Sequence, residues 1–409
     1  MRPRALSRGL APAVLTVALL LPAGALPAGR DGAASTEEIT RAVTAERLEG
    51  HLRAFQAAAD AHGGNRAAGT DGYRASVDHV VERLRAAGYH PRVQAFTFPY
   101  DEDHDEDHDD DDHGEDTSTE RRVTYNVLAD TSTGDPGSTV VVGAHLDSVP
   151  ESPGLNDNGS GAAGVLAVAE ALAGTDTRNR VRFAWWGAEE VDLNGADHYV
   201  SDLRANDPGA FEDIALYLNF DMIGSPNYGR FVYDGDTSGN GWHDSIEAPD
   251  GSDAIEVAFE GYFESEAVAF DEVPIDDGSD HLVFAAAGIP VGGLFTGDTG
   301  EKTRQEAARY GGEAGEVYDP CYHAACDDLD NVDLQVLEEM SDAAAAVVLG
   351  FASSTMDDGV PLSPPDGWPR RGALEELGPV LVGLAAVSVL AAAAAGVAVA
   401  VRRRARGRR

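Results

Sequence analysis

Histidine and carboxylate residues stand beside several apolar stretches of this chain, where their side chains could bind a metal ion. Six residues share this placement: His145, Asp147, Asp157, Glu189, Glu190 and Asp221. Carboxylates that gather in one place repel one another unless cations hold them together. Zinc suits a mixed set of imidazole and carboxylate ligands. These residue types therefore predict a zinc centre, provided that the fold brings them together.

Each of these residues taken alone also has an ordinary structural explanation. His145 near a strand end could bond a backbone group, and Asp157 before a glycine-rich stretch could cap a helix. The stretch "FAWWGAEEV" (183–191) is harder to explain, because it contains two adjacent glutamates, Glu189 and Glu190. One carboxylate would be enough to end the apolar run, so the second glutamate requires a separate role.

Five apolar or alternating stretches predict the strands that would position these side chains: 92–98, 122–129, 138–148, 180–187 and 214–224. Three of them are nearly continuous apolar runs, which indicates strands covered on both faces by helices. Residues 71–87 and 159–174 predict two of those helices. The sequence therefore predicts a single α/β domain with a mostly parallel mixed sheet and helices on both faces. In such sheets, sites form beyond the carboxyl ends of the strands, where these polar residues fall.

The composition excludes one class of partner. Acidic residues outnumber basic residues 71 to 30 among 409 residues, and the formal net charge is −41. A surface of that charge repels phosphate backbones, so we expect no nucleic-acid partner.

The two ends of the chain carry segments with the properties of targeting and anchoring sequences. Residues 1–28 place arginines before an apolar run and a small-residue triplet, which is typical of a secretory signal peptide. Residues 377–401 contain no charged residue and precede the arginine-rich residues 402–409, which is typical of a membrane span with a cytoplasmic tail. A buried N-terminal helix and a C-terminal core helix are the alternative interpretations.

The segments between these ends divide the rest of the chain. Residues 356–376 are rich in proline, glycine and serine, and we interpret them as a linker. Residues 40–355 would then form the folded domain, exported and held at the outer face of the cell membrane by the C-terminal span.

An acidic segment, residues 100–116, separates two predicted strands and contains His104, His108 and His113. A segment with so many like charges cannot pack, which predicts a solvated loop. Its histidines leave a second interpretation open, in which the segment captures zinc weakly and passes it to the centre.

Eight stretches resemble a known family in content and in order across residues 45–350: "GGNRAAGTDGYRASVDHV", "GAHLDSV", "GLNDNGSG", "RFAWWGAEE", "YLNFDMIGSPN", "SDH", "GIPVGGLFTG" and "CYHAAC". With these stretches the chain resembles the co-catalytic zinc aminopeptidases, most closely the secreted aminopeptidase of the Streptomyces type. The resemblance implies the zinc exopeptidase fold for residues 40–355 and hydrolysis of the N-terminal residue of peptides.

The resemblance also implies two zinc ions per chain. One ion would be bound by His145 and Asp221. The other would be bound by Glu190 and His323, and Asp157 would bridge the two.

The remaining polar residues would carry the reaction. Because successive side chains at a strand end point in different directions, Glu190 can reach a metal while Glu189 stays unligated as the general base. Asp147 would hold the ring of His145 with its side-chain carboxylate. Tyr322 would stabilise the oxyanion with its hydroxyl, and its alternative role is that of a buried aromatic beside a disulfide.

Two covalent features follow from the same resemblance. Cys321 and Cys326 would form a disulfide that fixes the loop between them, which an oxidising compartment favours over a cysteine metal site. The peptide bond between Asp157 and Asn158 would be cis.

The family's apolar pocket falls on Met222, Ile223, Leu294 and Phe295, which implies a large, leucine-like residue at the N-terminus of the substrate. All four residues could equally belong to the core. Gly278 stands where the related enzyme has an arginine, so the contacts to substrate differ at that point.

A calcium site of the related enzyme has only part of its ligands here. Glu338 and Asp342 lie one helical turn apart, but no matching aspartate occurs near residue 42. Calcium is therefore not predicted.

Two other functions are compatible with parts of this pattern. Glutaminyl cyclases of the same fold use a single zinc, which would leave part of the ligand set without a purpose. A surface zinc-binding protein would use the ligands and the acidic segment, but it would have no use for Glu189.

The C-terminal anchor gives a direct prediction. A chain that ends before Leu377 should be released into the medium as active enzyme, because residues 377–401 are the predicted span and carry no site residue. Activity assays of medium and membrane fractions would measure this release. Full-length protein in the soluble fraction without detergent would contradict the anchor.

Overall fold

The computed structural model describes residues 34–100, 120–239, 246, 248–276, 278–357 and 360–361. The predicted signal peptide, the membrane span and the basic tail lie outside the described residues, as do most of the linker and of the acidic segment. Among the helices of the described ranges, none is both long enough and apolar enough to cross a membrane.

The domain is built on a mixed eight-stranded sheet with the order β1-β2-β4-β3-β5-β8-β6-β7. Its strands are β1 (Arg92–Tyr100), β2 (Glu120–Asp130), β3 (Asp135–His145), β4 (Asn179–Trp186), β5 (Ile214–Phe220), β6 (Phe231–Asp234), β7 (Asp271–Pro274) and β8 (Val291–Phe295). The four central strands β4, β3, β5 and β8 run parallel, whereas β1 and β2 form an antiparallel edge. A short hairpin, β9 (Met356–Asp357) and β10 (Val360–Pro361), stands apart from this sheet. The predicted single α/β domain with a mixed sheet is confirmed.

Ten helices accompany the sheet: α1 (Thr36–Thr40), α2 (Ala45–Ala61), α3 (Asp71–Ala87), α4 (Gly159–Leu172), α5 (Asn194–Asn206), α6 (Pro208–Glu212), α7 (Ser252–Ser265), α8 (His281–Ala286), α9 (Arg304–Tyr310) and α10 (Leu334–Ser353), counted over the described ranges. A single 3₁₀ turn spans Leu329–Asn331. The two helices predicted from periodicity, at 71–87 and 159–174, correspond to α3 and α4.

Alternation along the central strands divides the core into two layers. Val140 and Val142 of β3 pack with the large cluster formed by α2, α3, α4, α7 and α10. Val141 lies between them in sequence and packs on the opposite face with Tyr199 of α5 and Phe284 of α8. Because both faces are covered, the central strands are apolar throughout, as the sequence indicated.

Helix α4 packs closely on the sheet because its surface consists of small residues, and 13 of its 14 residues are buried. A Cβ at Gly161 would lie 2.1 Å from the backbone oxygen of Phe220, so only glycine allows this approach to the end of β5. The cap of α4 is Asn158, whose side chain accepts the Gly161 amide at 2.9 Å. Asp157, one residue earlier, is therefore free of the capping role that its position also suggested.

The strands on either side of the acidic segment, β1 and β2, form a regular antiparallel pair. Tyr100, the last residue of β1, is paired with Glu120, the first residue of β2. Residues 101–119 lie outside the described ranges, so both interpretations of the segment stay predictions.

Candidate metal centre

The carboxyl ends of the central parallel strands bring the predicted ligands into one crevice. His145 is the last residue of β3, Asp221 directly follows β5, and Asp157 directly precedes the cap of α4. The Nε2 atom of His145 lies 3.2 Å from Oδ1 of Asp157 and 3.3 Å from Oδ1 of Asp221. Each residue offers one ligand atom, and the three atoms lie within 4.8 Å of one another, close enough to hold one ion.

A second group of the same kind shares Asp157. The Nε2 atom of His323 lies 3.2 Å from Oδ2 of Asp157 and 3.2 Å from Oε2 of Glu190. Asp157 thus directs one carboxylate oxygen toward each histidine, which is the arrangement of a bridging ligand. The peptide bond between Asp157 and Asn158 is cis, as predicted.

The electrostatics of both groups fit metal cations. Glu190 Oε1 and Asp221 Oδ1 are buried oxygens that accept no hydrogen bond within the described chain. Burial, reinforced by the charge of Asp157, raises the pKa of Glu190 to about 8. Carboxylates that are crowded and desolvated in this way are stable as anions only beside positive charge. A pair of divalent ions would supply that charge.

The surrounding acids raise the pKa values of both histidines. Burial by itself would lower the pKa of His145, but Glu189 and Asp221 outweigh burial and hold the pKa well above its usual range. His323 is affected in the same way by Asp157 and Glu190, which raise its pKa to about 10. Both rings therefore stand where positive charge is favoured.

The ring of His145 is oriented by the backbone of Asp147. Its Nδ1 lies 3.2 Å from the Asp147 carbonyl oxygen, which can only accept, so Nδ1 carries a proton and Nε2, which faces the crevice, is the nitrogen that can bind a metal ion once its own proton is displaced. The Asp147 carboxylate is farther away, with Oδ1 3.7 Å from Nδ1, and this oxygen accepts the Glu189 amide at 3.2 Å. Asp147 therefore connects the strand-end histidine with the glutamate pair.

A chain of buried hydrogen bonds supports Asp221. Its Oδ2 accepts the Ser279 hydroxyl at 2.7 Å, and Ser279 in turn accepts the Asn219 side-chain amide at 2.9 Å. Tyr217 donates to Asn219 at 2.8 Å, and Trp186 donates to Tyr217 at 2.9 Å. The "SDH" stretch carried the only sequence signal for Ser279, and no role was assigned to it. The chain fixes Oδ2 and leaves Oδ1 facing His145.

The adjacent glutamates lie in a turn beyond the end of β4, so strand alternation does not set the directions of their side chains. Strand β4 ends at Trp186, and Ala188 adopts a left-handed conformation with φ of 59°. Glu190 faces His323, whereas Glu189 lines the cleft with Oε2 3.7 Å from His145 Nε2 and belongs to neither ligand group. Burial raises the pKa of Glu189 well above its usual range.

The predicted disulfide between Cys321 and Cys326 is confirmed. It closes the loop that presents Tyr322 and His323, whose rings stack with centroids 3.8 Å apart. Tyr322 lines the cleft, and burial together with the charge of Asp157 raises the pKa of its hydroxyl. The hydroxyl is therefore protonated at neutral pH and can donate.

The cleft beside the ligands has a volume of about 930 Å³. Met222 and Phe295 lie on its wall, as predicted for the pocket, but Ile223 and Leu294 are fully buried in the sheet core. The wall residues that the sequence did not predict include four aromatic or apolar side chains: Phe231, Tyr233, Val273 and Tyr318. They come from β6, β7 and the segment after α9, none of which was predicted as an element.

Glu338 and Asp342 are the two acids of the incomplete calcium site. Glu338 accepts the backbone amide of Ala45 at 2.8 Å, and burial raises the pKa of Asp342 to about 7.

Elsewhere in the described ranges, two groups of acids that share Glu256 are spaced closely enough to bind a metal ion. They are Asp234, Asp236 and Glu256, and Glu256, Glu260 and Glu272. Backbone amides of Gly235 and Asp236 donate to Glu256 at 3.1 and 3.0 Å.

The chain is similar to named aminopeptidases. An aminopeptidase of Pseudomonas aeruginosa is 49% identical over 245 residues, which are 59% of this chain and 44% of that protein. Leupeptin-inactivating enzyme 1 of Streptomyces exfoliatus is 40% identical over 320 residues, which are 78% of this chain and 63% of that protein. The chain thus spans less than two thirds of the length of either relative.

Solved structures share the fold at low identity. A zinc aminopeptidase from Bacillus subtilis has a TM-score of 0.59 and 18% identity, with 78% of this chain and 98% of that chain covered. A glutaminyl cyclase from Bacteroides thetaiotaomicron has a TM-score of 0.55 and 14% identity, with 75% and 98% covered. The fold alone therefore does not separate these activities.

The sequence profile of peptidase family M28 matches residues 126–348, which are more than half of the chain. This range contains both candidate ligand groups and the glutamate beside them. The chain belongs to peptidase family M28.

Proposed function

We propose that this protein is a zinc-dependent aminopeptidase that hydrolyses the N-terminal residue from peptides. The observation that carries the proposal is a pair of ligand groups that share Asp157, with the carboxylate of Glu189 beside them and outside both groups. Relatives named aminopeptidases support the same activity.

The residues fit two zinc ions. His145, Asp157 and Asp221 would hold one ion, which we call the first zinc site. Asp157, Glu190 and His323 would hold the other, which we call the second zinc site. Bound zinc lowers the pKa of water and polarises a carbonyl group, which is the chemistry that peptide hydrolysis needs.

Glu189 is the general base of this mechanism. Its carboxylate faces the cleft next to His145 and takes the proton from the attacking water. The same carboxyl group then gives the proton to the departing amine. Burial raises its pKa above the usual range, which makes it a stronger base than an exposed glutamate.

Tyr322 stabilises the negative charge that develops on the carbonyl oxygen of the substrate. Its hydroxyl is protonated, lines the cleft and is presented by a loop that the disulfide closes. A fixed donor in a buried cleft lowers the barrier, because it needs no reorganisation when the charge appears.

The charge of the cleft favours an amino terminus over a carboxyl terminus. Among the described residues that line it, acids are numerous and none is lysine or arginine. A free α-ammonium group is attracted by such a wall, whereas a terminal carboxylate is repelled. The apolar side chains of Met222 and Phe295, with the aromatic wall, suit a large apolar first residue such as leucine.

The rival functions fit the geometry less well. A one-zinc cyclase would not need the second zinc site, in which Glu190 and His323 are as closely spaced as the ligands of the first. A zinc-storage protein would gain nothing from a buried glutamate outside both groups.

We also propose that the enzyme is exported and anchored at the outer face of the membrane. This proposal rests on residues 1–28 and 377–401, which lie outside the described residues.

Substituting each glutamate in turn should distinguish the residue that binds metal from the residue that transfers a proton. Glu189→Ala should keep two zinc ions per chain yet lose about 10²- to 10⁴-fold in kcat, since a general base is removed. Glu190→Ala should lose zinc as well as activity. Metal analysis and kinetics of both variants would measure this, with Glu189→Gln as the isosteric control. The reverse pattern of zinc loss would show that the two roles are exchanged.

Zinc affinity should rise as the pH increases from 6 to 8. In the zinc-free chain, Glu190 has its pKa raised to about 8 and His323 to about 10, so both groups hold protons that zinc must displace. Higher pH removes that competition, and zinc binding should release protons. Competition with a chromophoric chelator and a pH indicator in weak buffer would measure both effects. An affinity that stays constant or falls over this range would contradict the assigned ligands.

A further inference from the structure

Arg66 belongs to the "GGNRAAG" stretch (63–69), which contributes to the family resemblance but has no place in the mechanism so far. The residue is completely buried, with no exposed surface. Its guanidinium group donates three hydrogen bonds to backbone carbonyls: Nη1 to Leu146, Nη2 to Gly154, and Nε to Pro153 at 2.9 Å. A buried arginine that bonds only carbonyls in these contacts is unusual, because its charge needs compensation.

The three carbonyls lie on two separate stretches of the single loop, residues 146–158, that connects β3 to α4. Leu146 directly follows His145 at the end of β3, whereas Pro153 and Gly154 lie later in the same loop, shortly before Asp157. One planar guanidinium group thus joins the start of this loop, next to a first-site ligand, to the stretch that precedes the bridging ligand.

The surroundings of Arg66 are shaped to hold it in this position. Its backbone amide donates to the Ser148 hydroxyl at 3.0 Å, and its Cζ lies 5.2 Å from the centre of the Phe55 ring. Gly154 has a φ of 64°, and a Cβ there would lie 2.5 Å from the backbone oxygen of Asp157 and 3.1 Å from Arg66 Nη2. The backbone conformation and the Asp157 oxygen therefore require glycine here, and the guanidinium packs beside it.

The charge of Arg66 is compensated in part by nearby carboxylates. Burial lowers the pKa of Arg66, and four neighbouring acids partly offset that effect: Asp147, Asp327, Asp157 and Glu190. A fixed cation beneath these groups offsets part of their mutual repulsion before any metal binds.

We infer that Arg66 is a positioning residue of the zinc centre, which clamps the start of the β3–α4 loop, next to His145, to the stretch of the same loop that precedes Asp157. The inference rests on the proposed two-zinc function. The two clamped stretches adjoin two ligands of the first zinc site, His145 and Asp157, whereas of the second zinc site they adjoin only Asp157. Loss of the clamp should therefore weaken the first site more than the second.

The test compares Arg66→Lys and Arg66→Met with Arg182→Met in the full-length chain. Arg182 is a matched control because it is also buried, with 8% of its surface exposed, and pairs with both oxygens of Asp130 at 2.6 Å, away from the ligands. Zinc per chain is measured after dialysis against graded concentrations of a chelator. Chemical denaturation of the same samples separates zinc affinity from global stability.

Wild-type protein and the Arg182→Met variant should lose zinc at the same chelator concentration, even if Arg182→Met lowers the stability of the fold. Arg66→Lys keeps the charge but loses the planar fork, and it should lose one ion at about 10- to 100-fold lower chelator concentration, as is typical of residues that orient metal ligands. Arg66→Met, which also loses the charge, should bind zinc more weakly still. If Arg66→Met does not fold, Arg66→Lys decides the question alone.

The affected site is identified by removing one site at a time. In a Glu190→Ala chain only the first zinc site is intact, and in an Asp221→Ala chain only the second. Adding Arg66→Lys should lower zinc affinity more in the Glu190→Ala chain. Equal losses in both backgrounds, or zinc retention equal to that of Arg182→Met, would overturn the positioning role. A wild-type chain that binds fewer than two zinc ions would instead overturn the proposed function, and with it this inference.

Discussion

The structure depends on one electrostatic constraint, which is that Asp157 shares its carboxylate between two histidines at the bottom of a buried, acid-rich crevice. Its two oxygens each lie 3.2 Å from an imidazole nitrogen, and the hydrogen bonds and charges of His145 and His323 hold its pKa below the usual range despite burial. The neighbouring carboxylates, Glu189 and Glu190, instead have raised pKa values because burial dominates. The carboxylates in this arrangement repel one another, and two divalent cations would relieve that repulsion.

Three residues near the ligands have backbone conformations that residues other than glycine rarely adopt. Ala188, Met222 and His323 have φ values of 59°, 46° and 53°, and each lies next to or within a ligand segment. A left-handed conformation at residues other than glycine is costly and persists only where the surroundings enforce it. Tight packing of α4 on β5 and the disulfide loop around His323 supply that enforcement.

Part of the centre was accessible from the sequence because His145, Glu190 and Asp221 follow apolar strands, whereas His323 was implied only by the family resemblance. The central strands and α3 and α4 were predictable, since periodicity survives in long elements. The strands β6, β7 and β8 were missed because each has only four or five residues. The cleft wall was therefore incomplete in the prediction, and Ile223 and Leu294 were assigned to it although they belong to the core.

Other features depend on three-dimensional contacts that no local pattern encodes. Arg66 reaches carbonyls 80 or more positions away in sequence, and Ser279 supports a ligand 58 positions away. Glu189 and Glu190 were expected to diverge by strand alternation, but both lie beyond the end of β4, in a turn that follows the left-handed residue Ala188. Long-range hydrogen bonds and positive φ angles at residues other than glycine are the information that single-sequence patterns lack.

The central claim is that one crevice holds two zinc ions bridged by Asp157. Anomalous X-ray scattering at the zinc edge from crystals grown with zinc tests it most directly. We predict two peaks about 3.5–4 Å apart, both within bonding distance of Asp157 and neither bonded to Glu189. A single peak, a peak bonded to Glu189, or peaks confined to the acidic groups around Glu256 would contradict the account.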